Sequence, residues 1–197
     1  MNFKSAMGSL SVAIMLAAYT IYIWKTLRLK SVRPHPFSWF LWGVVTGVVY
    51  LVQRTHGAGA GSWVVGLTAI ICLLICALSL RKYEWDFSHF DWFDRFCVLA
   101  GLLVFAFYLS TKNPTWSAVL ATMVDLIGYV PTVKKGWKSP YGDSELSFWL
   151  NSFKFAPSLL ALESYSLATW LYPATLVVMN AAVALMLHSR RKEIGAP

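Results

Sequence analysis

Three strongly polar residues interrupt three different apolar segments in the second half of this 197-residue chain: Asp125, Lys154 and Asn180. At 1.5 Å of rise per helical residue, each lies ~14–16 Å from the same side of the apolar layer. A charge in the middle of such a layer is unfavourable by at least ~2.5–3.5 kcal/mol, so these side chains face protein or water and pair with one another. The matched depth therefore predicts that the three side chains meet.

Two roles are open for this trio. An Asp125–Lys154 ion pair would lock two helices in register without any ligand. Alternatively, the trio binds a small polar solute or a proton, because ionisable groups in an apolar layer are functional by default. A solute with a carboxylate or an amine would split the pair, and a proton on Asp125 would free Lys154.

Neighbouring residues extend this polar surface. Tyr129 follows Asp125 by four residues and Asn151 precedes Lys154 by three, and both spacings place the side chains on one helical face. Aligned positions in the first half of the chain hold no charge, so we expect the first half to supply an aromatic and hydroxyl wall from Tyr19, Trp39, Trp42 and Thr46.

Motifs typical of hydrolytic enzymes are missing from the sequence. No HExxH or GxSxG occurs, so we predict no catalytic residue, no metal site and no cofactor, and a membrane-embedded enzyme remains only an alternative. Acidic and aromatic residues alternate over 81–96, where an interfacial loop is expected, with a metal site as the alternative at Asp86, His89, Asp91 and Asp94. Cys72, Cys76 and Cys97 are predicted to be packing cysteines.

The elements that must position these residues are membrane-spanning helices. The chain is 57% hydrophobic and only 13% charged, whereas soluble domains are about a quarter charged. A span needs ~20 mostly apolar residues, and seven such segments occur, at about 6–25, 37–54, 62–80, 94–110, 115–134, 145–163 and 168–188. We therefore predict an all-α integral membrane protein with the lipid bilayer as its partner. Basic residues follow the first segment, so it is predicted to be a retained helix rather than a signal peptide.

Basic residues predict the orientation. Three lie on the side of the membrane where the N terminus is predicted: Lys4, Arg54 and Lys112. Thirteen lie on the other side: Lys25, Arg28, Lys30, Arg33, Arg81, Lys82, Arg95, Lys134, Lys135, Lys138, Arg190, Arg191 and Lys192. The positive-inside rule then predicts an outer N terminus and a cytoplasmic C terminus, with the plasma membrane of a bacterium as the expected location. This bias explains the net charge of +8 without a nucleic-acid partner.

An internal repeat is indicated by residues 18–42 and 128–151. Tyr19 matches Tyr129 at an offset of 110, and Ser38 matches Ser147 at an offset of 109. The predicted organisation is a three-helix repeat (1–81), an interfacial loop with a linker helix (82–112), a second three-helix repeat (113–189) and a cytoplasmic tail (190–197). Because one linker helix separates the repeats, they run parallel in the membrane, as in one class of transporter.

This organisation resembles the PQ-loop and SWEET superfamily, which includes bacterial vitamin carriers of the PnuC type. The second repeat holds Tyr129-Val130-Pro131-Thr132 where the family has a proline–glutamine pair, and the first repeat, with Tyr19-Thr20-Ile21-Tyr22, lacks the proline. The resemblance implies alternating access with Pro131 as a hinge, and a substrate-contacting asparagine at the depth of Asn180.

The sequence therefore predicts a membrane carrier for a small polar solute such as a sugar, an amino acid or a vitamin, with protons as an optional coupling ion. A seven-helix ligand or cargo receptor on the same scaffold is the main alternative. An opsin-like protein would need a lysine in the last segment, and 168–188 has none. Substrate identity and a homo-oligomeric state stay open.

Overall fold

Every regular element that the computed structural model describes, over residues 2–28, 34–82, 91–111, 113–142 and 144–194, is a helix. The described residues form seven α-helices: α1 (Phe3–Arg28), α2 (Pro36–Thr55), α3 (Trp63–Lys82), α4 (Trp92–Thr111), α5 (Pro114–Lys138), α6 (Glu145–Ala161) and α7 (Leu167–Ile194). Two short 3₁₀ helices, Gly59–Ser62 and Pro140–Gly142, precede α3 and α6. The predicted all-α class is confirmed.

Six of these helices are long and apolar enough to cross a membrane by length and composition, namely α1 to α5 and α7. α6 has 17 residues, which at 1.5 Å per residue gives ~25 Å and falls short of a ~30 Å hydrocarbon core. The six long apolar helices make the chain an integral membrane protein. α7 continues to Ile194, so the first five residues of the predicted tail (190–194) are helical.

Local sequence explains where the helices begin. His35 caps α2, because its side chain accepts a hydrogen bond from the Ser38 backbone N–H and Pro36 occupies the first helical position. Ser144 caps α6 in the same way through the Ser147 N–H. At α4, the backbone N–H groups of Asp91 and Asp94 each donate to the other residue's carboxylate at 2.9 Å.

Helix packing follows one pattern in both halves of the chain. α3 packs against α1 and α2, and α7 packs against α5 and α6. Between the halves, α1 packs along α6 and α2 packs along α5, while α4 lies against α2 and α5. The core thus sits where the two halves meet, and it combines residues such as Met15, Val45, Val49, Ala121 and Phe155.

Large apolar side chains are also exposed on the outside of the bundle. Ile70, Leu73 and Leu74 of α3 are 57%, 44% and 53% exposed, and Leu99, Leu102 and Leu103 of α4 are similarly open. In water such a surface would be a strong liability, whereas in a bilayer it contacts lipid. The polar residues of interest lie instead inside the bundle.

Candidate functional site

Lys154 lies on α6 with its side chain pointing into the core, where only 2% of the residue is exposed. Its Nζ donates a hydrogen bond to the hydroxyl of Tyr19 on α1 at 3.1 Å. The same Nζ lies 4.5 Å from the centroid of the Tyr19 ring and 4.8 Å from that of Phe155. The ammonium group is therefore held by one hydroxyl and two aromatic faces, and this contact joins the two halves of the chain.

Asp125 lies on α5 and is 3% exposed. It is close enough to Lys154 for the two charges to interact. Among the described residues, however, no Lys, Arg or His nitrogen lies within 4.0 Å of its carboxylate and no group donates a hydrogen bond to it. The two charges share one cluster, but the direct Asp125–Lys154 contact that the sequence suggests is replaced by the contact of Lys154 with Tyr19.

Asn180 and Tyr129 extend the cluster beyond Asp125. Tyr129, one helical turn after Asp125, interacts with both Asp125 and the side chain of Asn180. Asn180 is 4% exposed, and its Nδ2 donates to the carbonyl oxygen of Leu176 at 2.8 Å. Asn180 is thus joined to the two charges through Tyr129.

Three further residues complete the cluster. Thr68 and Cys72 of α3 neighbour the Tyr19 hydroxyl, and Tyr172 of α7 lies within interaction range of Asp125. We call this set the polar cluster: Tyr19, Thr68, Cys72, Asp125, Tyr129, Lys154, Tyr172 and Asn180. Sequence analysis missed Thr68 and Tyr172 and assigned Cys72 to packing. The match of Tyr19 with Tyr129 in the repeat was the one usable signal for a role of Tyr19.

The two tryptophans predicted to form a wall lie beside this cluster. Trp39, 9% exposed, packs edge-on against Tyr19 at 6.2 Å and against Trp42 at 5.3 Å between ring centroids. Trp42 reaches α5, where its Nε1 lies 3.7 Å from the position that a Cβ on Gly128 would occupy. The indole of Trp42 therefore packs against the same helix that carries Asp125.

Other predicted residues have separate roles. The Asn151 side chain donates to the Ser147 carbonyl of its own helix at 2.9 Å, and no contact of the described residues joins it to the polar cluster. Thr46 likewise donates to the Trp42 carbonyl at 2.5 Å. Pro131 lies inside α5, which continues to Lys138, and its role as a hinge stays a prediction.

Only part of the alternative metal site in the 81–96 loop lies within the described residues. Asp86 and His89 lie outside the described residues, whereas Asp91 and Asp94 cap α4. Asp94 also lies 2.9 Å from Nε2 of His35, which connects α4 to the start of α2. Within the described ranges, no group of three or more His, Cys, Asp or Glu residues is arranged to hold a metal ion.

Comparison of the chain with protein-family models, with curated proteins and with solved structures finds no match. The resemblance to the PQ-loop and SWEET superfamily therefore remains a prediction, and the functional argument rests on the polar cluster.

Proposed function

We propose that this protein is a membrane carrier for a small polar solute, which binds at the polar cluster between two three-helix units. The observation that carries the proposal is Lys154. Its buried ammonium group belongs to the second half of the chain, yet its hydrogen-bond acceptor, Tyr19, belongs to the first half. A charged group at the junction of two units is the arrangement that carriers use to couple ligand binding to movement.

The packing pattern supports two related units. α1, α2 and α3 correspond to α5, α6 and α7, because the third helix of each set packs against the other two. The contacts between the sets are also equivalent, since α1 with α6 becomes α5 with α2 under a two-fold rotation. Both relations fit parallel repeats about an axis along the membrane normal, with α4 as the linker.

The two units differ in the charged residues that they carry at equivalent positions. In the repeat alignment Met15 corresponds to Asp125 and Val45 to Lys154, and both apolar residues are completely buried. One unit therefore presents a packed apolar surface and the other presents an acid and a base. A solute at this junction would meet the charges on one side and Tyr19, Trp39 and Trp42 on the other.

The proposed cycle uses the incomplete pairing of the two charges. Lys154 has three N–H donors, and Tyr19 supplies its one hydrogen-bond acceptor among the described side chains. A solute carboxylate or hydroxyl would accept from the remaining donors, while Asp125 would accept from a solute amine or take up a proton. Rocking of one unit against the other then changes the Lys154–Tyr19 contact and carries the solute across.

The orientation that we propose places the N terminus outside and the C terminus in the cytoplasm of a bacterial plasma membrane. The basis is the distribution of Lys and Arg, which concentrates on the face where α7 ends.

Flux measurement tests this function. Purified protein is first screened by thermal shift against sugars, amino acids, nucleosides and vitamins, because a ligand of the folded state raises the melting temperature. Uptake of each hit is then measured in liposomes for the wild type, Lys154→Met and the matched control Ser152→Ala. Ser152 lies on the same helix as Lys154 but outside the cluster, and its hydroxyl donates to the Val177 carbonyl of α7. We expect uptake that Lys154→Met abolishes and Ser152→Ala retains. Ligand binding without flux would contradict the carrier and favour the receptor.

The Asp125→Asn variant distinguishes a transport role of the Asp125 charge from a purely structural role as an ion pair. Because the carboxylate has no contact partner among the described residues, its neutral isostere removes a buried charge, and we expect an unchanged or higher melting temperature. Uptake should lose its dependence on the pH gradient. If Asp125→Asn instead unfolds the protein at a lower temperature while uptake persists, the pair is a lock.

A further inference from the structure

A polar cavity that is open to the surface lies on the membrane face where α2 ends and α3 begins, away from the polar cluster. It has a volume of about 330 Å³ and is lined by Arg54, Gly57, Gly59, Ala60, Ser62, Trp63 and Glu163. Ligand pockets span ~300–1,000 Å³, so this cavity suits a small solute. It is formed by the α2–α3 connection of the first half together with Glu163, which follows α6 in the second half.

Opposite charges line this cavity without contacting each other. Among the described residues, Arg54 and Glu163 form no ion pair within 4.0 Å. Arg54 is oriented by Tyr50, because its Nη1 donates to the Tyr50 hydroxyl at 3.4 Å and its Cζ lies 5.9 Å from the centroid of the Tyr50 ring. A guanidinium has five N–H donors, so most of them stay available to a ligand.

Gly59 leaves space for the side chain of Glu163. Gly59 has φ of +58°, a conformation that favours glycine, and a Cβ there would lie 2.1 Å from Cδ of Glu163. The carboxylate therefore occupies the space that any other residue at position 59 would fill. The backbone N–H of Glu163 also donates to the Ala58 carbonyl at 3.2 Å, which connects the two halves of the chain at this point.

The repeat alignment relates the two charges. The offset of 109 that aligns Ser38 with Ser147 also aligns Arg54 with Glu163, since 163 − 54 = 109. Equivalent ends of the two halves thus supply a cation and an anion to one cavity. Trp63, 43% exposed, adds an apolar surface to the lining of the cavity.

We propose that this cavity is a binding site for a small zwitterion, specifically an α-amino acid with an apolar side chain. Its carboxylate accepts charge-assisted hydrogen bonds from Arg54, its ammonium donates to Glu163, and its side chain contacts the indole of Trp63. The site is separate from the polar cluster and does not depend on transport. A bound amino acid bridges the two halves of the chain at this face.

Calorimetric titration of the full-length protein in detergent micelles tests the site with L-leucine and two analogues. Leucinamide lacks the carboxylate and 4-methylpentanoate lacks the ammonium group. We expect leucine to bind and each analogue to bind about tenfold more weakly, in line with the loss of one charge-assisted hydrogen bond.

Four variants locate the binding. Arg54→Gln should weaken leucine about tenfold and remove its advantage over leucinamide, and Glu163→Gln should do the same relative to 4-methylpentanoate. Arg190→Gln, which removes a guanidinium from the opposite face, should leave the affinity unchanged. The absence of leucine binding would overturn the proposal. So would full affinity in both cavity variants, or loss of binding in Lys154→Met alone, which would move the amino acid to the polar cluster.

Discussion

At the scale of single residues, the main finding is that the buried lysine is held by a tyrosine rather than by the aspartate. The Tyr19 hydroxyl accepts from Lys154 Nζ, and the ring face of Tyr19 adds a cation–π contact. Both contacts cross from α6 to α1. This leaves Asp125 as a buried carboxylate near a positive charge but without a direct partner among the described residues.

Tyr19→Phe should therefore destabilise the protein by ~1–3 kcal/mol, because the ammonium group loses its hydrogen-bond acceptor. In a Lys154→Met background the same change should have almost no effect, which gives a coupling free energy of at least ~1 kcal/mol in a double-mutant cycle. The measurement is denaturant unfolding in detergent. Tyr108→Phe is the control, since Tyr108 packs against the core. Additive effects of the two changes would show that the contact does not contribute.

At the scale of helices, polar residues at the ends set how neighbouring elements meet. Asp94 is 2% exposed at the start of α4 and lies 2.9 Å from Nε2 of His35, the residue that caps α2. Glu145, at the start of α6, is similarly contacted by Arg191 and His188 of α7. α2 and α6 are thus each connected at the beginning to another helix.

Asp94→Asn should lower the free energy of unfolding by ~1.5–3 kcal/mol, because the charged acceptor beside His35 becomes neutral. Asp91→Asn is the matched control, since its side-chain oxygen can still accept from the Asp94 N–H, and its effect should stay below ~1 kcal/mol. Thermal unfolding of the purified variants measures both. Equal effects would mean that the His35 contact adds nothing beyond capping.

Close helix approach provides a second test at this scale. A Cβ on Gly8 of α1 would lie 2.8 Å from the carbonyl oxygen of Ala60, whereas a Cβ on Gly47 of α2 would have its nearest neighbour at 3.9 Å. Gly8→Ala should destabilise by ~1–3 kcal/mol through overpacking. Gly47→Ala should stabilise by ~0.5–1 kcal/mol, because alanine favours a helix over glycine. A stabilising Gly8→Ala would show that α1 can move away from the α2–α3 connection without cost.

At the scale of the whole molecule, the two halves of the chain contribute unequal chemistry to their junction. The apolar core continues from one half into the other, while Asp125 and Lys154 both come from the second half. The cavity at Arg54 and Glu163 lies on the face of the N terminus, and the helix-end contacts of Asp94 and Glu145 lie on the other face. The proposed orientation assigns these faces to opposite sides of the membrane.

Cysteine labelling tests that orientation. In a variant whose three native cysteines are replaced by alanine, Thr55→Cys and Ser189→Cys each put one thiol at an exposed position on opposite faces. We expect a membrane-impermeant maleimide to label Thr55→Cys in intact cells and Ser189→Cys only after permeabilisation. The reverse pattern would contradict the outer N terminus.

The sequence by itself determined the class of protein, because the length of apolar runs is a local property that needs no knowledge of packing. It also singled out Asp125, Lys154 and Asn180, since polar residues inside apolar runs are visible in the chain. Only the tertiary structure decided their partners. Whether Lys154 meets Asp125 or Tyr19 depends on how α6 is rotated and which helix lies beside it. That Arg54 and Glu163 line one cavity depends on segments from different halves of the chain meeting at one face, which no local pattern records.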